Sequence, residues 1–409
     1  MTNAVSESSL DPMDTNAKRA LVVGLGVSGM ASALRLHQAG WRVVICEKAP
    51  ERRRGGYFIA LFGTGISAAR RLGIALPNRL SDDIRSYNVD RAGRRLRSLS
   101  FTEAVPGEAL PVVRGDIEDG AFNALPADVE IRYSAPPLAI RQDADGVDVD
   151  FGGGTERFGL VVGADGLRST VRRLAFGPDE GRVHRLGYMI AACELPGPVP
   201  GYRVKDGVIL AEEGRSAWVF PFADRPPTVL FNYRTADPDA EFGRPPIETL
   251  REVFGPEAPG ATLGWLLDRF GEAPDHLFDT AEQIRMDTWH RGRVVLLGDS
   301  AWCPTLYSGM GAATGLAGAD LLGTMLERHP GDIGRALRAW EAKLRPFVEF
   351  HQGSGMDMRR LFLPADRTEM RVRKAMNRVM ATSVGRALLS RVHHRSRSNV
   401  MKTVDIVQA

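Results

Sequence analysis

A chain of 409 residues, 44% hydrophobic and 25% charged, can bury more than one hydrophobic core and has an ordinary globular make-up. Three cysteines (Cys46, Cys193, Cys303) are too few and too scattered for a disulfide framework or thiolate metal site, and no stretch approaches the ~18 unbroken apolar residues of a membrane span. The net charge of +3 hides an asymmetry: residues 359–402 carry twelve Lys/Arg against two Asp/Glu, with no Phe, Tyr or Trp beyond Phe362 for base stacking, which reads as a solvated or self-docking helical face and not as a nucleic-acid grip.

The first twenty residues lack the apolar run of a signal peptide, so a cytoplasmic protein is expected. Residues 20–23 (ALVV) predict a buried strand, 28–39 a helix and 42–47 (RVVICE) a second strand, a βαβ opening. Residues 100–180 read as short strands with turns at Ala144-Asp145-Gly146 and Gly152-Gly153-Gly154, returning to an apolar strand at Leu160–Val162. From about 181 to 280 strands alternate with long Pro- and Gly-rich loops. There Trp218, Phe220 and Phe222 share one strand face, and Val229, Phe231 and Tyr233 share a face of the next. A third buried strand, Arg293–Leu297, leads into a Gly-rich loop and a helix starting near Gly311. Beyond it Leu337, Trp340, Leu344, Phe347, Val348 and His351 recur at helical spacing, with a kink expected at Pro346. The sheet begun at residue 20 thus finishes near 297, and the first domain is discontinuous.

The βαβ opening carries Gly24-Leu25-Gly26-Val27-Ser28-Gly29, with Glu47 closing the second strand. Gly24 permits the tight turn, Gly26 lets a pyrophosphate approach the backbone and Gly29 allows close helix–strand packing, while the helix N-terminus offers N–H donors to phosphates. Glu47 suits a ribose hydroxyl. This element serves flavin and nicotinamide dinucleotides alike. Two later strands end in Gly163-Ala164-Asp165-Gly166 and Gly298-Asp299-Ser300-Ala301; each alone is equally a turn or a helix cap.

In this order the three motifs resemble those of the para-hydroxybenzoate hydroxylase family of FAD-dependent aromatic hydroxylases, over roughly residues 19–352. The segment Gly55–Gly65 and the strand end Trp289–Asp299 resemble the tetracycline-inactivating and polyketide-tailoring branch. The resemblance implies an α/β fold: a Rossmann-like FAD-binding domain of glutathione-reductase type (19–72, 97–180, 281–335), a smaller α+β substrate domain with an antiparallel sheet (73–96, 181–280), and C-terminal helices with the basic tail (336–409). It implies FAD held by Gly24, Gly26, Gly29, Glu47, Arg114, Asp165, Gly298 and Asp299, with Lys48 and Arg54 as further cofactor contacts. Gly309, Met310, Gly311 and Ala312 open a helix whose amides suit the anionic edge of reduced flavin, or form only a flexible loop.

The implied activity is that of a monooxygenase: NADPH or NADH reduces FAD, oxygen adds at the flavin C4a position, and the hydroperoxide passes one oxygen to an aromatic or polycyclic small molecule. Expected partners are that substrate and O2, not nucleic acid or membrane, for a monomer or weak homodimer. A dry, aromatic-lined cavity is required. Phe220 and Phe231 either line it or pack the core; Tyr57, Leu61, Pro304 and Leu306 are the further candidates. Alternatives are an FAD-dependent dehydrogenase or reductase and a non-catalytic flavin-binding regulator. The chain departs from the family where Trp302 replaces a histidine, Leu306 a proline, Gly159 an aspartate and Met310 a glutamine. Cys303 suits covalent flavin attachment or redox chemistry, but reads first as a small buried residue.

Overall fold

The computed structural model describes residues 18–52, 55–79, 83–104, 108–255 and 257–408. The apolar runs become a parallel core: β1 (Arg19–Val23) lies between β2 (Arg42–Cys46) and β11 (Leu160–Gly163). With β7 (Glu130–Arg132), β17 (His290–Arg291) and β18 (Val294–Leu296) they form a sheet of order β17-β18-β11-β1-β2-β7. Strands buried on both faces read as apolar runs, as the central β1, β2, β11 and β18 do, whereas the edge strands β7 and β17 are polar and partly exposed. Helix α1 (Val27–Gln38) covers β1, and a Cβ on Gly29 would overlap the Gly24 carbonyl, so only glycine lets the helix lie this close.

A hairpin, β3 (Phe58–Phe62) with β6 (Ala109–Val113), borders this layer, with α2 (Gly63–Arg71) and α3 (Arg114–Ala124) following its strands. The short sheet β8 (Ala139–Gln142), β9 (Val147–Asp150), β10 (Thr155–Phe158) precedes β11, and α4 (Thr170–Phe176) follows it. The expected run of strands over 100–180 is therefore broken by three helices, α3, α4 and the single turn Phe101–Ala104.

The second layer is a seven-stranded sheet of order β16-β12-β15-β14-β13-β4-β5. Its strands are β4 (Arg85–Val89), β5 (Arg95–Ser98), β12 (Val183–Glu194), β13 (Asp206–Glu212), β14 (Arg215–Phe220), β15 (Thr228–Arg234) and β16 (Leu277–Ile284). All pairings are antiparallel except β13 with β4. One face is sealed by α5 (Pro246–Phe254) and α6 (Gly260–Glu272), where long loops were expected. The prolines at 245–246 and 259 begin these helices, as Pro does at a first turn, and Leu263, Leu266, Leu267 and Phe270 supply the apolar stripe.

Helix α7 (Gly311–Arg328) packs on α1 and α2 and is nearly all buried. Helix α8 (Ile333–Phe362) continues through Pro346, burying Leu337, Trp340, Leu344, Phe347, Val348 and His351 as their spacing predicts. The basic segment forms α9 (Arg367–Met380), α10 (Ser383–Arg395) and α11 (Arg397–Lys402) and docks on the protein itself: Arg359 pairs with Glu369 at 2.8 Å, and Ser390 donates to the Glu103 carbonyl at 2.6 Å. Residues 402–407 then re-enter the parallel layer. Thr64 donates to the carbonyls of Lys402 (2.9 Å) and Val404 (2.6 Å), Arg71 pairs with Asp405, and Ile406 and Val407 are buried in the core. Among the described residues no helix is long and apolar enough to cross a membrane.

Candidate functional site

The three motifs meet at the carboxyl ends of the parallel strands. Gly24 has φ +106° and lies against the next motif: a Cβ there would stand 2.5 Å from the Ala164 carbonyl oxygen. Glu47 ties β2 to the Gly-rich turn, one carboxylate oxygen accepting from Leu25 N and the other from Ala49 N, both at 2.9 Å. Gly26 caps α1 and faces Arg114, whose guanidinium would lie 3.8 Å from a Cβ at that position. Arg114 pairs with Glu118 at 2.8 Å. Asp165 caps α4, accepting from Thr170 N (2.6 Å), Val171 N (3.1 Å) and Ser169 Oγ (2.5 Å), while burial raises its carboxyl pKa. Gly298, at φ +70°, abuts the Ser28 hydroxyl, which also faces Gly315 of α7.

Asp299 sits deep in the protein, where burial raises its pKa against the opposing pull of Arg114 and a hydrogen bond from Cys303, yet its surface is solvent-exposed. A residue both deep and wetted lines a cleft. A Cβ on Gly311 would stand 3.8 Å from its carboxylate, so the α7 N-terminus opens on the same cleft. Of the four residues expected to present amides there, Gly309 N bonds Leu306 O (2.9 Å) and Met310 N bonds Ser308 Oγ (3.1 Å). Gly311 and Ala312, in the first turn of α7, have no intrahelical acceptor for their N–H groups. The Met310 side chain points into the core. Lys48 is exposed at the end of β2; Arg54 lies outside the described residues.

The loop between Asp299 and α7 differs from the family pattern in a definable way. Trp302 turns inward, packing on Trp289 and Trp340 and donating Nε1–H to Thr314 Oγ1 at 3.2 Å. Thr305 holds φ +71° with its hydroxyl buried, a strained state for a β-branched residue.

Tyr57, close enough to Arg114 and Asp299 to feel their charges, and Leu306 meet Phe220, Ile190, Ala192, Leu230 and Leu277 of the seven-stranded sheet in one apolar cluster. Phe58 stacks on Phe220, ring centroids 4.2 Å apart. Two expected residues are not there. Phe231 pairs with Ala217, so alternation turns it to the other face, against Phe254 and Phe270. Leu61 is fully buried in the parallel-layer core, against Gly65 of α2. Pro304 is buried, its carbonyl accepting from Gln283 at 3.4 Å. Leu230 and Ile190 were missed because cross-strand register, invisible in one strand's pattern, decides which parity faces the cleft.

A family model described as FAD binding domain matches residues 123–332. An uncharacterized protein of Mycobacterium tuberculosis, Rv1260, is 32% identical over 360 residues, spanning 82% of this chain and 92% of that protein. A flavin-dependent monooxygenase of Legionella longbeachae is 28% identical over 382 residues, spanning 88% and 94%. The crystal structure of tetracycline destructase Tet(55) superposes with a TM-score of 0.73 at 25% identity, over 91% of this chain and 98% of that one. The chain belongs to the FAD-binding-domain family and is an FAD-dependent monooxygenase of the aromatic hydroxylase type.

Proposed function

We propose that this enzyme uses NADPH or NADH and O2 to insert one oxygen atom into an aromatic or polycyclic, phenolic or polyketide-like small molecule, as a cytoplasmic monomer or weak homodimer. The observation that carries this reading is the position of Tyr57, which lies within the field of Arg114 and Asp299 and packs in one apolar cluster with Phe220, Leu230 and Leu306, so that the polar cleft and the apolar face adjoin. The match to a tetracycline destructase supports a polycyclic substrate.

The residues suit FAD. Glycine at 26 leaves room for a pyrophosphate while Gly24 packs the turn against Ala164, the α1 N-terminus and Arg114 supply positive potential, and Asp299 offers its carboxylate to a sugar-like hydroxyl. Bound FAD supplies the electron and oxygen chemistry. The amides of Gly311 and Ala312 would stabilise negative charge at the ring edge, and the apolar wall would exclude water while holding a flat substrate. Asp165 acts indirectly, fixing the turn against Gly24. We assign 19–72, 97–180 and 281–335 to the FAD domain, 73–96 and 181–280 to the substrate domain, and 336–409 to the helices that join them.

Purified protein should be yellow, and a panel of phenolic and polyketide compounds should include one that accelerates NAD(P)H oxidation. With 18O2 the product should carry one heavy oxygen. A colourless protein that FAD cannot reconstitute would sink the reading, and a product without label would make the enzyme a dehydrogenase.

A further inference from the structure

The sheet face that borders the cleft carries Leu230, Trp218 and Phe220 between two buried polar positions, Thr228 opposite Phe220 at one end and Ser216 opposite Asn232 at the other. Asn232 and Ser216 are cross-strand neighbours on β15 and β14, and alternation puts them on the same face as Leu230, Trp218 and Phe220. Both are 0% exposed. Neither atom of the Asn232 amide, nor the Ser216 hydroxyl, has a hydrogen-bond partner among the described residues. One strand over, Ile190 pairs with Asn232, and Tyr188 beside it is met edge-on by Tyr307, centroids 5.9 Å apart. Tyr307 belongs to the loop between Asp299 and α7, and its buried hydroxyl is likewise unpartnered among the described residues.

Buried polar groups are nearly always paired, because an unmade bond forfeits the water it displaced. An amide with both ends unpaired is costly at a position that leucine fills without penalty. The end of α8 closes this corner: Trp218 Nε1 donates to Phe362 O (3.1 Å) and Gly214 N to Pro364 O (2.8 Å), so residues 362–364 cross β14 over Ser216. The rung's one charge, Asp279 opposite Ile190 on β16, is already paired with Arg168 at 2.6 Å. Arg359 is bound to Glu369, and Arg373 lies over Trp218 and reaches Asn88.

We propose that Asn232 and Ser216 are specificity residues that read a neutral donor–acceptor edge of the substrate, of hydroxy-ketone or keto-carboxamide type. The inference rests on the reading that an aromatic substrate lies against Phe220. The Asn232 carbonyl accepts from the substrate hydroxyl and its NH2 donates to the ketone oxygen; Ser216 serves either. A carboxylate is disfavoured because the rung's own charge is the Asp279 carboxylate and the nearby Arg359 is already paired with Glu369. Segment 362–364 yields as the edge enters.

Flavin-fluorescence titration of the oxidised FAD holoenzyme with 2-acetyl-1-naphthol and 2-ethyl-1-naphthol tests this. The wild type should bind the acetyl compound about tenfold tighter, the worth of one hydrogen bond. Asn232→Leu should abolish that preference and Ser216→Ala reduce it, and Asn232→Leu should weaken 2-ethyl-1-naphthol, which keeps only the hydroxyl, less than it weakens the acetyl compound. Ligand-free Asn232→Leu should melt no lower than wild type, since it removes unpaired groups. A preference that survives Asn232→Leu, a wild type without preference, or a variant that melts well below wild type or fails to fold would each overturn the proposal. If neither naphthol binds the wild type, the aromatic-substrate reading falls and this inference with it.

Discussion

The indole of Trp302 lies 4.7 Å, centroid to centroid, from that of Trp289, and Trp340 closes a three-ring cluster beneath the cleft. Trp302 stands where the family carries histidine, and at 1% exposure it belongs to the core. Trp302→Ala should therefore cost about 3–5 kcal/mol of stability, the usual toll of emptying a buried aromatic site. Urea unfolding followed by circular dichroism would measure it. Loss of FAD with unchanged stability would instead make Trp302 a cofactor contact.

Gly24→Ala should weaken FAD binding. The residue would need φ +106°, and its Cβ would meet the Ala164 carbonyl at 2.5 Å, so the Gly-rich turn and the Asp165 loop must part. The flavin-to-protein absorbance ratio after gel filtration should fall at least about tenfold at limiting FAD, roughly the effect of 1.4 kcal/mol. A variant with full flavin content would mean that the two loops need not touch.

Phe220 and Phe231, which the sequence treats alike, should separate on mutation. Phe231→Ala should lose about 3–5 kcal/mol of stability, since the side chain is wholly buried against α5 and α6, and leave KM for the aromatic substrate near wild type in the surviving fold. Phe220→Ala should raise KM with a smaller stability loss. Steady-state NAD(P)H oxidation and thermal melts distinguish them, and the reverse pattern would invert the assignment of faces.

Acid should expose the anchor between α8 and the parallel layer. Burial pushes the Glu341 carboxyl up, but hydrogen bonds from His290, Arg345 and the Trp289 amide prevail and hold it at about 2. Its pKa is thus lower folded than unfolded, so the stabilisation is complete above pH 4.5 and disappears as pH falls from 4.5 toward 2. It amounts to about 3 kcal/mol. The stability gap between wild type and Glu341→Gln should be widest near pH 6–7 and close across that window. A gap independent of pH would show that the carboxylate's charge is not what matters.

The parallel core was legible because strands buried on both faces write themselves as apolar runs, and the fingerprint glycines each answer a steric demand local to one turn. Leu61 and Phe231 were misassigned for the opposite reason. Each sits in a strand whose two faces are both buried, so alternation names two parities and only the partner strand says which meets the cleft. Helices α5 and α6 were hidden by the prolines that start them, which read as loop signals until the leucines beyond are counted on a 3.6-residue period. Leu230 and Asn232 had no local signature at all; their significance arises only from neighbours brought in by β12 and β14.

The contacts of residues 402–407 with α2 bear on how the protein is made. Thr64 and Lys402 are 338 positions apart in the chain. At ribosomal speeds of about 5–20 residues per second, the apolar surface around α2 must wait roughly 17–70 seconds for its cover to be synthesised. Nascent chains should therefore be chaperone clients over that interval, and flavin acquisition should follow translation through this segment rather than accompany emergence of the Gly-rich turn.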